Sequence, residues 1–165
     1  MKPRAVLIGP PAAGKSRLGR RVAARLGVGF VDTDKLVVAE HGPIPDIFEH
    51  VGEETFRVWE RAAVVSALGT DGIVALGGGA ILDVDTRLDL LDHNVILITA
   101  TPEAITSRLA AGTRPLLTDG IDSWKKLVSV RQPIYDELSS FIVDTSKGTM
   151  DSIADDIATR LKVAQ

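Results

Sequence analysis

The octapeptide Gly9-Pro10-Pro11-Ala12-Ala13-Gly14-Lys15-Ser16 fits the spacing of two glycines, a lysine and a serine that marks a phosphate-binding loop. The aliphatic run Ala5 to Ile8 stands directly before it, and a stretch with helical spacing follows. Between a strand and a helix, the N–H groups of such a loop point inward at an anion, and the positive end of the helix dipole strengthens the pull. Lys15 would reach the β- and γ-phosphates and the Ser16 hydroxyl would ligate Mg²⁺, so ATP or GTP is the implied ligand. Ala12 and Ala13 are the irregular positions, because alanine tolerates a positive φ poorly.

Two further groups have the residue types for chemistry. Asp32-Thr33-Asp34 follows the run Val28 to Val31. That is the carboxyl edge where open parallel sheets place ligands. One acid can face Mg²⁺ and its waters while the other faces the group that attacks phosphorus, although an acid here can also simply cap the next helix. Gly77-Gly78-Gly79 follows the run Ile73 to Leu76 and reads as a floor that a small molecule can approach closely, with a plain strand-to-helix turn as the alternative. Arg57 shares a helical segment with Phe56, Trp59, Glu60 and Arg61, where the spacing also permits an ordinary surface ion pair.

The elements that must position these groups alternate. Aliphatic runs at Ala5 to Ile8, Val28 to Val31, Ile73 to Leu76, Val95 to Ile98 and Phe141 to Val143 lack polar alternation, as strands buried on both faces do. Between them lie amphipathic stretches, one with Leu18, Val22 and Leu26 on a single face. This order predicts right-handed crossovers and a three-layer α/β fold with a five-stranded parallel sheet and helices on both faces. Arg17, Arg20, Arg21 and Arg25 read as a solvated helix face. The stretches His41 to Val51 and Ala110 to Asp122, rich in glycine and proline, are expected to be irregular insertions over the sheet edge. Asp83, Asp85, Asp89 and Asp92 are expected to cap and solvate a helix, and His41, His50 and His93 are too scattered for a metal site.

Composition narrows the function classes. The chain has 165 residues, no cysteine and a formal net charge of -3, which argues for one domain without disulfides, thiol catalysis or a nucleic-acid footprint. No apolar stretch is long enough for a membrane span, and the absence of cysteine fits the cytoplasm.

Together the loop ending Gly14-Lys15-Ser16, Asp32-Thr33-Asp34, Phe56-Arg57 with Glu60, Gly77-Gly78-Gly79, Arg114-Pro115-Leu116-Leu117 and Arg131-Gln132-Pro133-Ile134-Tyr135 resemble a shikimate kinase over nearly the whole chain. The resemblance implies a single P-loop kinase domain spanning 1–165, with a substrate-binding insertion at about 34–60 and a lid at about 110–122. It implies ATP-dependent phosphorylation of the shikimate 3-hydroxyl by a cytoplasmic monomer that engages neither nucleic acid nor membrane. By resemblance, Lys15, Asp34 and Arg114 are catalytic, and Ser16 and Asp32 hold Mg²⁺. Ala12, Ala13, Gly14, Lys15, Ser16, Arg17, Arg108 and Arg114 bind ATP, with Arg108 stacked on adenine and Arg114 carried by the lid. Asp34, Arg57, Gly77, Gly78, Gly79 and Arg131 bind shikimate, the two arginines gripping its carboxylate. A planar guanidinium pair suits that carboxylate better than ammonium groups would. A small kinase for gluconate or a nucleoside monophosphate would share the phosphate loop but not the glycine trio with Arg57 and Arg131. Asp34 needs no unusual pKa for that role, since a loose transition state releases the hydroxyl proton late.

Overall fold

The computed structural model describes residues 1–111 and 120–164. Among them, strands β1 (Ala5–Ile8), β2 (Phe30–Asp32), β3 (Ile73–Ala75), β4 (Val95–Thr99) and β5 (Phe141–Asp144) form one parallel sheet in the order β2-β3-β1-β4-β5. The helices are α1 (Lys15–Leu26), α2 (Thr33–His41), α3 (Ile44–His50), α4 (Gly52–Leu68), α5 (Val84–Leu90), α6 (Pro102–Ala111), α7 (Ile121–Leu138) and α8 (Met150–Val163).

Central β1 shows why the layers form. Its side chains alternate: Ala5 and Leu7 pack with Leu18 and Val22 of α1 and with Ile157 and Leu161 of α8. Val6 and Ile8 pack on the other face with Val64 of α4 and with Tyr135 and Leu138 of α7. An all-apolar strand is stable only when both of its faces are covered in this way. The expected three-layer α/β architecture is therefore observed. A smaller apolar cluster of Val37, Ile47, Phe56 and Ala63 ties α2, α3 and α4 together beside the sheet. The rings of Phe48 and Phe56 meet there with centroids 5.0 Å apart.

Several local expectations need correction. The stretch from His41 to Val51 is largely helical, since α2 runs through His41 and α3 spans Ile44–His50. Pro43 stands at the N-cap of α3 and Pro45 lies in its first turn, where a missing N–H leaves no intrahelical bond unmade. Ala110 and Ala111 close α6, while Ile121 and Asp122 open α7. Strand β2 begins two residues later than the aliphatic run, because the C-terminus of α1 closes first, with the Val28 N–H donated to the Ala23 carbonyl. The basic face of α1 is not simply solvated. Arg21 and Arg25 each pair with Asp151 at 3.1 Å, and Arg25 also bonds Asp155, which orients α8 across α1. The acidic segment behaves as expected at Asp83, which caps α5 by accepting the Thr86 N–H, and Asp89 pairs with Arg61 at 2.7 Å.

Candidate functional site

The carboxyl ends of β1, β2 and β3 open onto a cavity of about 720 Å³, in the size range of small-molecule sites. Gly14, Lys15, Ser16 and Arg17 line one side; Asp34, Arg57, Gly78 and Arg131 line the other. Widely separated segments of the sequence therefore meet in one cavity.

On the first side, Gly14 caps α1 at a φ of 100°, a value a glycine accepts without strain. The Lys15 ammonium donates to the carbonyls of Gly9 at 2.8 Å and Pro10 at 3.0 Å, so the lysine curls around its own loop. Ser16 donates its hydroxyl to Asp32 at 2.5 Å. The other Asp32 oxygen caps α2 by accepting the Lys35 N–H at 3.2 Å, so one acid serves both the helix and the cavity. Ala12 has a φ of 66°, and among the described residues it is the one non-glycine in the left-handed region. That backbone costs an alanine about 1–2 kcal/mol. Its buried methyl returns about 0.8 kcal/mol, and a glycine would add about 0.4–1 kcal/mol of chain entropy to the unfolded state. Ala12→Gly is therefore expected to change unfolding free energy by less than about 1 kcal/mol in denaturant titration, which explains how alanine persists here.

On the second side, each glycine of the trio faces a different charged side chain. A Cβ on Gly77 would overlap the Asp34 carboxylate, and one on Gly79 would overlap the Arg57 guanidinium. The Gly78 carbonyl accepts from Arg131 at 2.9 Å. The Gly77 N–H donates to the Thr33 hydroxyl at 2.9 Å, which fixes the β3 loop against the start of α2. Gly77 and Gly79 thus make room for two charged groups, whereas a Cβ on Gly78 would meet the Arg131 guanidinium only at an ordinary contact distance of 3.6 Å. Arg57 is held by Glu60 at 2.9 Å and Glu53 at 3.2 Å, so the ion-pair and cavity-lining roles coincide in one residue. Gly79→Ala places its methyl against the flexible end of Arg57. The fold is expected to survive, while steady-state kinetics should show the KM for the acid substrate raised about tenfold and that for the nucleotide unchanged.

Burial governs the electrostatics. Desolvation, then the neighbouring charge of Asp32, raises the pKa of Asp34 above the ordinary carboxylate value, against the opposing pull of Lys15 and Arg57. Glu60, only 3% exposed, is raised by burial despite its bond to Arg57. Burial works to lower the Arg57 pKa, but its bonds and charge attraction to Glu60 and Glu53 outweigh this and leave it raised.

Arg108 lines the cavity, and its guanidinium donates to the Ala12 carbonyl at 2.8 Å and to Thr145. Ala13 lies behind the loop, its carbonyl accepting from the Thr145 hydroxyl at 2.7 Å. Arg114 and most of the expected lid fall outside the described residues. Pro133 stands inside α7, two residues after Arg131. The sequence reading overlooked Trp124, whose indole N–H donates to the Pro11 carbonyl at 2.8 Å. One signal was present: Trp124 precedes Arg131 by seven residues, two helical turns, and so shares its face of α7. Thr33 and Thr145 carried no comparable signal.

Four findings place the chain among known proteins. The family model described as shikimate kinase matches residues 11–162. A shikimate kinase of Thermobifida fusca is 43% identical over 167 residues, covering 99% of this chain and 97% of that protein. One of Corynebacterium efficiens is 38% identical over 165 residues, covering 98% of each. The solved shikimate kinase of Acinetobacter baumannii, in complex with shikimate, superposes with a TM-score of 0.89 at 29% identity, covering 100% of this chain and 95% of that one. With a family match over most of its length and relatives near 40% identity end to end, this chain belongs to the shikimate kinase family.

Proposed function

We propose that the cavity joins the two halves of one phosphoryl transfer, with ATP on the phosphate loop and shikimate on the glycine trio. The protein phosphorylates the 3-hydroxyl of shikimate, giving shikimate 3-phosphate and ADP. The shikimate hydroxyl oxygen bonds the γ-phosphorus, the bond from that phosphorus to the bridging oxygen breaks, and ADP leaves. The observation that carries this reading is the position of Asp34. Its carboxylate lies against Gly77 and feels both Lys15 of the phosphate loop and Arg57 of the opposite wall. Asp34 orients the attacking hydroxyl and takes its proton late in the transfer. Arg57 and Arg131 clamp the carboxylate of the acid, and Gly78 and Gly79 form the floor beneath them. Lys15 stabilises charge on the transferring phosphoryl group, with Arg17 and Arg108 at the nucleotide side. We assign the lid role to the segment carrying Arg114, and the acid-binding insertion to residues 34–60 of a single domain.

The donor set fits Mg²⁺. Ser16 and Asp32 offer hard oxygen atoms in mutual contact at the cavity wall. Among the described residues, no three acidic, histidine or cysteine side chains cluster as a closed metal cage. Magnesium prefers this arrangement, taking one or two protein oxygens and completing its shell with water and phosphate. When bound, it would neutralise phosphate charge. Ser16 and Asp32 would hold it, and Asp34 would remain for the substrate.

The proposal extends to a cytoplasmic monomer, and the cysteine-free composition fits a reducing compartment. No helix among the described residues is long and apolar enough to cross a membrane. The reading is tested by measuring ADP release from ATP with shikimate, gluconate and nucleoside monophosphates offered in turn. Turnover with shikimate supports it; turnover with another acceptor and none with shikimate overturns it.

A further inference from the structure

Three consecutive carbonyls of the phosphate loop are each held by a side chain from a different part of the fold. Trp124, in the first turn of α7, donates its indole N–H to Pro11 at 2.8 Å. Arg108, in the last turn of α6, donates to Ala12 at 2.8 Å. Thr145, just after β5, donates to Ala13 at 2.7 Å. Trp124 is 3% exposed and packs with Ala12, Ala100 and Ile105 in a cluster of its own. It is not among the residues that line the cavity, whereas Pro11 and Ala12 are.

We infer that Trp124 is a positioning residue for the nucleotide, acting through the Pro11–Ala12 peptide. This rests on the kinase reading above. The peptide is trans, so its carbonyl and its N–H point in opposite directions. Anchoring the Pro11 carbonyl on the buried indole aims the Ala12 N–H away from Trp124. Backbone N–H groups of such a loop are the donors that meet phosphate oxygens. Ala12 sits in a sparsely populated backbone region that persists only when its surroundings over-determine it, and the indole bond is one of those determinants. The side chain therefore shapes the phosphate cradle without touching what enters it.

Trp124→Phe in the full chain keeps a ring in the cluster and removes the N–H. With ATP and shikimate varied separately, the KM for ATP should rise about fivefold or more, as expected for a buried carbonyl losing its donor, while the KM for shikimate stays within error. A folded variant with an unchanged KM for ATP overturns the inference. A second measurement needs no change at Trp124. The chain has two tryptophans, so the indole N–H signals in a ¹⁵N spectrum are assigned with Trp59→Phe. Saturating ADP should shift the Trp124 signal and shikimate alone should not. A stationary signal while calorimetry shows ADP bound overturns the inference. Absence of shikimate-dependent ADP release in the unsubstituted protein would instead defeat the kinase reading, and the ADP titration would still decide the role of Trp124.

Discussion

Asp34→Asn is expected to lower kcat by roughly 10²–10⁴-fold while raising the melting temperature. Both effects come from the same burial. Desolvation and the charge of Asp32 raise the Asp34 pKa in the folded protein. An acid with a raised folded pKa binds its proton more tightly when native than when unfolded. Stability therefore falls as pH climbs from the unfolded value, about 3.9, through the folded one, and the deficit persists at neutral pH. Asparagine has the same shape without the buried charge, so the deficit disappears together with the proposed proton acceptor. The acidic limb of the kcat/KM profile for shikimate should lie above the pH of an ordinary aspartate and vanish in the variant. Calorimetry and a pH series on both proteins check the two halves. Full turnover in Asp34→Asn would remove Asp34 from the reaction.

Arg131→Ala is expected to reduce kcat/KM for shikimate by about 2 kcal/mol or more, the scale on which a buried carboxylate loses a bonded partner. The loss should spare the KM for ATP. Thermal stability should fall less than in Arg57→Ala, because Arg131 lies at the cavity wall, where it bonds the Gly78 carbonyl and interacts with the Tyr135 hydroxyl and the Glu60 charge without being the main partner of that acid. Arg57→Ala is a useful contrast, since it strands Glu60, a buried acid bonded to that arginine. Removing one member of such a pair costs stability as well as binding. Arg131→Lys should recover only part of the loss, because a point charge cannot hold the Gly78 carbonyl and a planar carboxylate as a fork does. Steady-state kinetics and melting curves of the three variants separate these outcomes. A kcat/KM unchanged in Arg131→Ala would contradict the clamp.

Legibility in the sequence followed the distance over which each constraint acts. The phosphate loop was readable because its chemistry lies in contiguous residues, and an all-aliphatic Ala5 to Ile8 requires helices on both faces. The glycine trio was recognised as a floor, yet its pairing with Asp34, Arg131 and Arg57 needed the β3 loop brought beside α2, α4 and α7. The helix at Ile44–His50 is hard to read from the sequence, because proline breaks a helix interior and is favoured at a helix start. Trp124 and Thr145 hold loop carbonyls more than a hundred residues away, so no local pattern announces them. The raised pKa of Asp34 depends on enclosure by the cavity, which residue types alone do not convey.

The pairing of α1 with α8 bears on how the chain matures on the ribosome. Translation is vectorial, and early segments search for structure before late ones exist. Here the helix that begins at Lys15 and Ser16 packs its apolar stripe, and sets Arg21 and Arg25, against residues 150–163. A nascent polypeptide cannot complete that packing until those final turns have left the exit tunnel. The phosphate-loop end of α1, although made before strands β2 to β5, is thus fully buttressed only after them.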